Sequence, residues 1–186
     1  LKNVYLHGWR VCKSNVGKHR MNIFVVQHCP IRAAQDLCDK HVTKMILETA
    51  QMLSTCIQVQ GGTSLYKMVH KNHPCTVWAR ETQSNYNWLI NHGFALSDEF
   101  TRRFSGIHKS RAVIADAAKV KNRKLMPHGP LTPHPQCMPE QYKIPDDPVE
   151  AYRRYYVGEK LKFARWKYTD VPDWVHSIIQ SRAAAK

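Results

Sequence analysis

Acidic side chains are scarce in this chain. Against 28 Lys and Arg stand 14 Asp and Glu, a formal net charge of +14 with a pI near 9.7. So little negative charge makes a cationic partner a poor fit and draws the chain to a polyanion, most commonly nucleic acid, with an anionic membrane as the rival. Long apolar runs are also missing. None approaches the roughly 20 residues that span a bilayer, and no charged-then-apolar leader precedes a small-residue cleavage site. The expectation is a soluble, cytoplasmic, non-secreted protein with no membrane partner. There is no Gly-rich P-loop, no G-x-G-x-x-G, no H-E-x-x-H and no G-x-S-x-G, which removes the simple NTPase, dehydrogenase, zinc-protease and hydrolase classes. Cysteine is present but not clustered. Cys12, Cys29, Cys38, Cys56, Cys75 and Cys137 are spread along the chain and read as reduced thiols, not a disulfide scaffold. No cofactor is expected.

A hydrophobic content of 43% with five Trp, eight Tyr and five Phe is enough for a core, and the length suits one domain with extensions. The stretch Pro30 to Gln60 has no internal Gly or Pro and stops at Gly61-Gly62. It reads as one helix of about 45 Å. Ala34, Leu37, Cys38, Val42, Met45, Ile46, Leu53, Cys56 and Ile57 recur at three- and four-residue steps and form an apolar stripe. At its border His41, Lys44 and Glu48 share one line. The fold class is therefore all-α, a helical domain around one long central helix, with a short extended segment before it and a Pro-rich wrap behind.

Residues 1–20 hold Lys or Arg at five positions and no acid, and read as a basic arm open to nucleic acid and to protein partners. The compact domain spans 21–175, with NIFVVQHC as a short buried strand or extended segment at its start, and 176–186 form a tail expected to fray. From Thr76 to Phe104 the pattern is helical, with Thr76 as N-cap. Trp78, Asn85, Leu89, His92, Leu96 and Phe100 follow one line that Glu81 interrupts. Burying Glu81 and Asn85 requires partners; the alternative has Glu81 in solvent and Asn85 bonded to nearby backbone. Gly93 marks a kink or a close helix approach. A short helix from about His108 to Val120 follows, then seven prolines within residues 125–148, which forbid a regular element. Asp147 can cap a last strong helix that begins at Pro148 and lines up Val149, Tyr152, Tyr156, Phe163 and Trp166, with Trp174 plugging the core.

The residues suited to acid, base or nucleophilic work are His41, Lys44, Glu48, Glu81 and Asn85. Those suited to gripping phosphates are His70, Lys71, His73 and Arg80 around the loop after the long helix, with Arg153, Arg154, Lys160 and Arg165 on the last one, where aromatics alternate with cations. No metal centre is expected; the ligand set that spacing would allow is Cys38, His41, His70 and His73.

The strings CDKHVTKMILETAQMLST, HKNHPCTVWARETQSNYNWL, PQCMPEQYK and DPVEAYRRYYVGEKLKFARWK resemble a family of small proteins from tailed phages and other viruses. Some of these carry the label pyrimidine-dimer DNA glycosylase, related to the endonuclease V type of repair enzyme. The resemblance covers about residues 21 to 175. It implies a compact helical fold in which a free N-terminal amine attacks the sugar and a helical Glu serves the sugar ring. Here the first residues lead into a basic arm, so a domain starting at Met21 has its amine blocked by twenty residues.

Two functional classes follow: a DNA glycosylase/lyase-like or other nucleotide-directed enzyme, and a non-catalytic component of a nucleoprotein assembly. Both take nucleic acid, DNA ahead of RNA, and both place the excess charge in residues 1–20, 102–124 and 153–167. Affinity for a DNA duplex should therefore fall steeply with salt, with a log–log slope close to 0.9 per neutralised phosphate. Binding that hardly changes between low and high salt would remove the phosphate-driven account.

Overall fold

The computed structural model describes residues 21–184. Among them are eight α-helices and no strand: α1 (Pro30–Gln35), α2 (Asp39–Val59), α3 (Pro74–Glu81), α4 (Gln83–Phe104), α5 (Ser110–Ala117), α6 (Val120–Arg123), α7 (Pro148–Tyr155) and α8 (Asp173–Ala184). No described helix is long and apolar enough to cross a membrane. The all-α expectation holds, and the apolar stripe of α1 and α2 is buried along its whole length. α2 lies at the centre, against α3, α4 and α5, while α1 packs on α4. A Cβ on Gly93 would come within 2.8 Å of the Thr49 side chain, so this glycine serves close approach of α4 to α2.

The single helix expected over residues 30–60 is two helices. Its sequence has no breaker, and the break comes from tertiary hydrogen bonds. The Arg103 guanidinium donates to Gln35 O (2.7 Å) and Leu37 O (2.8 Å), carbonyls left open where α1 ends. Cys38, with extended backbone, then precedes α2; its N–H donates to the Tyr156 hydroxyl at 3.0 Å, and Asp39 N–H donates to Arg165 O at 2.9 Å. Competing partners outbid the continuous helix at three successive residues.

The helix expected from Thr76 to Phe104 is likewise divided. His73, not Thr76, caps α3, its ring accepting the Cys75 N–H. Thr82 is extended and caps α4 by accepting Asn85 N–H at 3.1 Å. The Pro-rich segment secures this joint, with Pro127 O accepting Gln83 N–H (2.7 Å), Gly129 O the Ser84 hydroxyl (2.6 Å) and Pro130 O the Thr82 hydroxyl (2.9 Å). The break turns Glu81 to solvent, off the buried line. Asn85 stays buried and fully engaged, with Trp78 O at 2.8 Å, Thr132 Oγ1 at 2.7 Å and Thr132 N–H at 2.9 Å.

The segment expected over His108–Val120 is split between α5 and α6. Asp147 caps α7 as the sequence predicts, accepting Glu150 N–H at 2.9 Å, and the helix passes into a π turn at Tyr156–Lys160. α8 occupies much of the segment read as a tail. Trp174 is buried there and donates its indole N–H to Asp36 at 2.8 Å. The basic arm read in residues 1–20 lies outside the described residues.

Arg103 is the most committed of these charges. Its side chain is fully buried and also contacts Glu99 (2.9 Å) and Asp39 (3.2 Å). Arg103→Leu would leave two carboxylates and two carbonyls short of a buried donor, and should destabilise the fold by about 3–5 kcal/mol. Arg103→Lys should recover little, since an ammonium lacks the planar fork that reaches both carbonyls. Urea unfolding midpoints of the two variants test this, and a near-wild-type Arg103→Leu would refute it.

Burial also keeps three imidazoles neutral. It lowers His41 and His134 to about 3 and His92 to about 4. Because the folded values lie below the ordinary 6.5, the unfolded chain binds these protons first. Their contribution is complete above about pH 6.5 and is lost as pH falls from there toward about 3, the folded value of His41 and His134. On unfolding near pH 5 these rings should take up about three protons from the solvent, each worth about 1.4 kcal/mol per pH unit. A folding free energy that is flat between pH 7 and 5 would contradict the assignment.

Candidate functional site

Asn22 is the meeting point of four parts of the chain. Asn22 N–H donates to Glu48 Oε2 on α2 at 3.0 Å. The Asn22 amide donates through Nδ2 to Cys137 O in the Pro-rich segment (3.0 Å), and its Oδ1 accepts the Tyr152 hydroxyl of α7 (2.7 Å) and the Ile23 N–H (2.8 Å). An extended N-terminal segment buried over Met21–Val26 makes this possible, since extended backbone leaves its N–H groups free for side chains.

Glu48 is the centre of this arrangement. The residue is only 7% exposed, yet its second carboxylate oxygen reaches the Lys44 ammonium at 3.0 Å. The Lys44 side chain is 43% exposed. One oxygen of a buried carboxylate thus faces a backbone nitrogen and the other faces an amine at the surface. The i, i+4 spacing on α2 brings Lys44 and Glu48 together as the sequence predicts.

His41 lies one turn toward the start of α2 and is built differently. Its Nδ1 is 2.8 Å from the Tyr156 hydroxyl, which already accepts Cys38 N–H. A neutral ring accepting the tyrosine proton at Nδ1 satisfies both groups. Phe24 stacks on the ring at 4.5 Å between centroids and Phe163 meets it edge-on. Desolvation leads the causes that lower His41, followed by Lys160, Lys44 and Lys40. His41 is therefore a neutral partner at ordinary pH.

Glu81 and Asn85 belong to the α3–α4 joint, one in solvent and the other holding Trp78 and Thr132. Of the phosphate-gripping candidates, His70 and Lys71 are exposed, and Arg80 donates to Lys71 O at 2.6 Å. His73 is half-buried at the start of α3. Arg153 donates to Val26 O and Gln27 Oε1, both at 2.9 Å, and so clamps the N-terminal segment. Arg154 pairs with Glu150 at the surface (2.9 Å), Lys160 lies over the Tyr155 ring (4.5 Å), and exposed Arg165 donates to Ala164 O (2.7 Å). Cys38 and His41 do not gather with His70 and His73. Among the described residues the group with metal-ligand spacing is His73, Cys75 and Cys137; Cys38 and His41 stand at the start of the 21-residue α2 and His70 and His73 follow its far end, about 30 Å of helix away.

Asn22 escaped the sequence reading, and Tyr152 and Cys137 were read only as a core residue of the last helix and a reduced thiol. Asn22 follows Met21 directly, and Tyr152 and Tyr156 stand at i, i+4; these were the available signals. Residues 21–114 match a protein-family model described as pyrimidine dimer DNA glycosylase. No curated protein and no solved structure matches the chain.

Proposed function

The chain belongs to the pyrimidine dimer DNA glycosylase family, whose model spans half of it, and from that premise we propose that it is a glycosylase/lyase that attacks a deoxyribose C1′ with an amine held at Glu48. The observation that carries this reading is the 3.0 Å contact between Asn22 N and Glu48 Oε2. A buried carboxylate facing a nitrogen at the start of the compact domain has the form this chemistry requires. The carboxylate accepts a proton from the attacking amine and stabilises positive charge on the sugar ring. Bond making is between the amine nitrogen and C1′, and bond breaking is between C1′ and the base, which leaves with the electron pair. Ring opening and loss of the amine's second proton give an imine, a Schiff base that borohydride reduces to a stable amine.

Two amines satisfy the geometry. Lys44 Nζ is 3.0 Å from Glu48 Oε1 and is available in the chain as it stands. The Asn22 nitrogen is a peptide nitrogen here and becomes a nucleophile only in a chain that begins at Asn22. His41 supports the site from the same helix, and exposed His70, Lys71, Arg154 and Arg165 with half-buried Arg80 and Lys160 supply phosphate contacts. Asn85 holds the α3–α4 joint in this scheme, with Glu81 in solvent beside it.

The test uses the full chain and a chain cleaved by protease to begin at Asn22, each incubated with dimer-containing and abasic duplexes under borohydride. A covalent protein–DNA adduct is expected, with Lys44→Ala abolishing it in whichever chain uses the lysine. Glu48→Gln should retain duplex binding and lower turnover by about 10²–10⁴-fold. If neither chain forms an adduct or cleaves DNA, RNA or nucleotides, and Glu48→Gln binds as wild type does, the non-catalytic nucleoprotein reading takes its place.

A further inference from the structure

The first turn of α3 and the Pro-rich segment bring two thiols and an imidazole together behind Asn22. Cys75 and Cys137 are 62 residues apart in sequence, and their sulfurs are 3.6 Å apart. The His73 ring offers a nitrogen that lies within 4.8 Å of both. We propose that His73, Cys75 and Cys137 bind one zinc ion, with water in the fourth position.

Geometry is the first support. Two thiolates at about 2.3 Å from a tetrahedral ion are separated by roughly 3.7 Å, so the sulfurs need almost no movement to share a metal. His73 Nδ1 now accepts the Cys75 N–H at 3.2 Å. The donor set is the second support. Two sulfurs and one imidazole are soft and borderline ligands that favour zinc over magnesium or calcium, and three protein donors with one open position form a known type of zinc site.

Charge is the third support, and it decides whether burial is tolerable. Cys75 is fully buried and Cys137 half-buried. Zinc arriving as a dication displaces one proton from each thiol, so the net charge of the pocket does not change. The backbone is fixed on both sides. Cys137 O accepts the Asn22 amide at 3.0 Å and Cys137 N–H donates to Tyr152 at 3.2 Å. An ion here would join the Pro-rich segment to α3 and stiffen the wall behind Asn22, whichever function that wall serves.

Full-length protein, purified under reducing conditions and stripped with a chelator, is titrated with zinc alone. One equivalent should bind, releasing about two protons per ion at a pH where free thiols are protonated. Zinc should also protect Cys75 and Cys137 from alkylation while exposed Cys29 stays reactive. Cobalt in place of zinc should give a thiolate charge-transfer band, and Cys137→Ser should remove the zinc-dependent protection of Cys75. If that variant does not fold, the stoichiometry, proton release and protection pattern of the wild type decide the matter. No uptake, uptake without protection of these two thiols, or a Cys75–Cys137 disulfide in the reduced preparation would each overturn the assignment.

Discussion

A single buried guanidinium sets the course of the chain. Arg103, near the end of α4, holds the two carbonyls where α1 stops and the two carboxylates, Glu99 and Asp39, that neutralise it. An unpaired cation in this position would be costly, so the break between α1 and α2 and the presence of Arg103 require each other. The direction of α2 follows from that break. Everything that reaches Glu48 depends on where α2 begins and which way it runs.

The Pro-rich segment performs a comparable task at the opposite joint. Prolines cannot donate, but their carbonyls remain strong acceptors. Pro127, Gly129 and Pro130 use theirs to receive the donors of Gln83, Ser84 and Thr82. Further along, Cys137 and Pro135 present carbonyls to Asn22 and Tyr152. A segment without regular structure thus links the α3–α4 joint to the hydrogen-bonded cluster around Asn22 and Glu48. Asn85, which the sequence offered as a reactive group, is one of its anchors.

What was legible in the sequence was whatever depends on local periodicity. The all-α class, the buried stripe from Ala34 to Ile57, the cap at Asp147 and the pairing of Lys44 with Glu48 all follow from residues three or four apart, and such neighbours meet in any helix. The two helix breaks were not legible, because residues 36–38 and Thr82 carry no strong breaker and their alternatives come from Tyr156, Arg165, Arg103 and the carbonyls of residues 127–130. Glu81 was misplaced for the same reason, as a line drawn through a continuous helix cannot survive a change of axis. Within the cluster, Glu48 was visible while its main-chain partner was not. Asn22 contributes a main-chain nitrogen, which no side-chain pattern can announce, and Cys75 meets Cys137 only because the segment between them folds back.

Phe24 has a φ of +50°, a conformation that a bulky residue rarely adopts and that costs of order 1–3 kcal/mol. Its ring fills the space between His41 and Tyr155, and Val26 N–H returns to Phe24 O at 2.9 Å. The N-terminal segment is consequently a hook with one notch. Sliding it by a single residue would force Ile23 or Val25 into the left-handed region, where β-branching is still less tolerated, and would withdraw the aromatic ring from its slot. An irregular segment can ordinarily creep along a helix; this one is indexed. The Asn22 nitrogen owes its position opposite Glu48 to a bend two residues away, so the accuracy of that contact is a property of Phe24 as much as of the groups that make it.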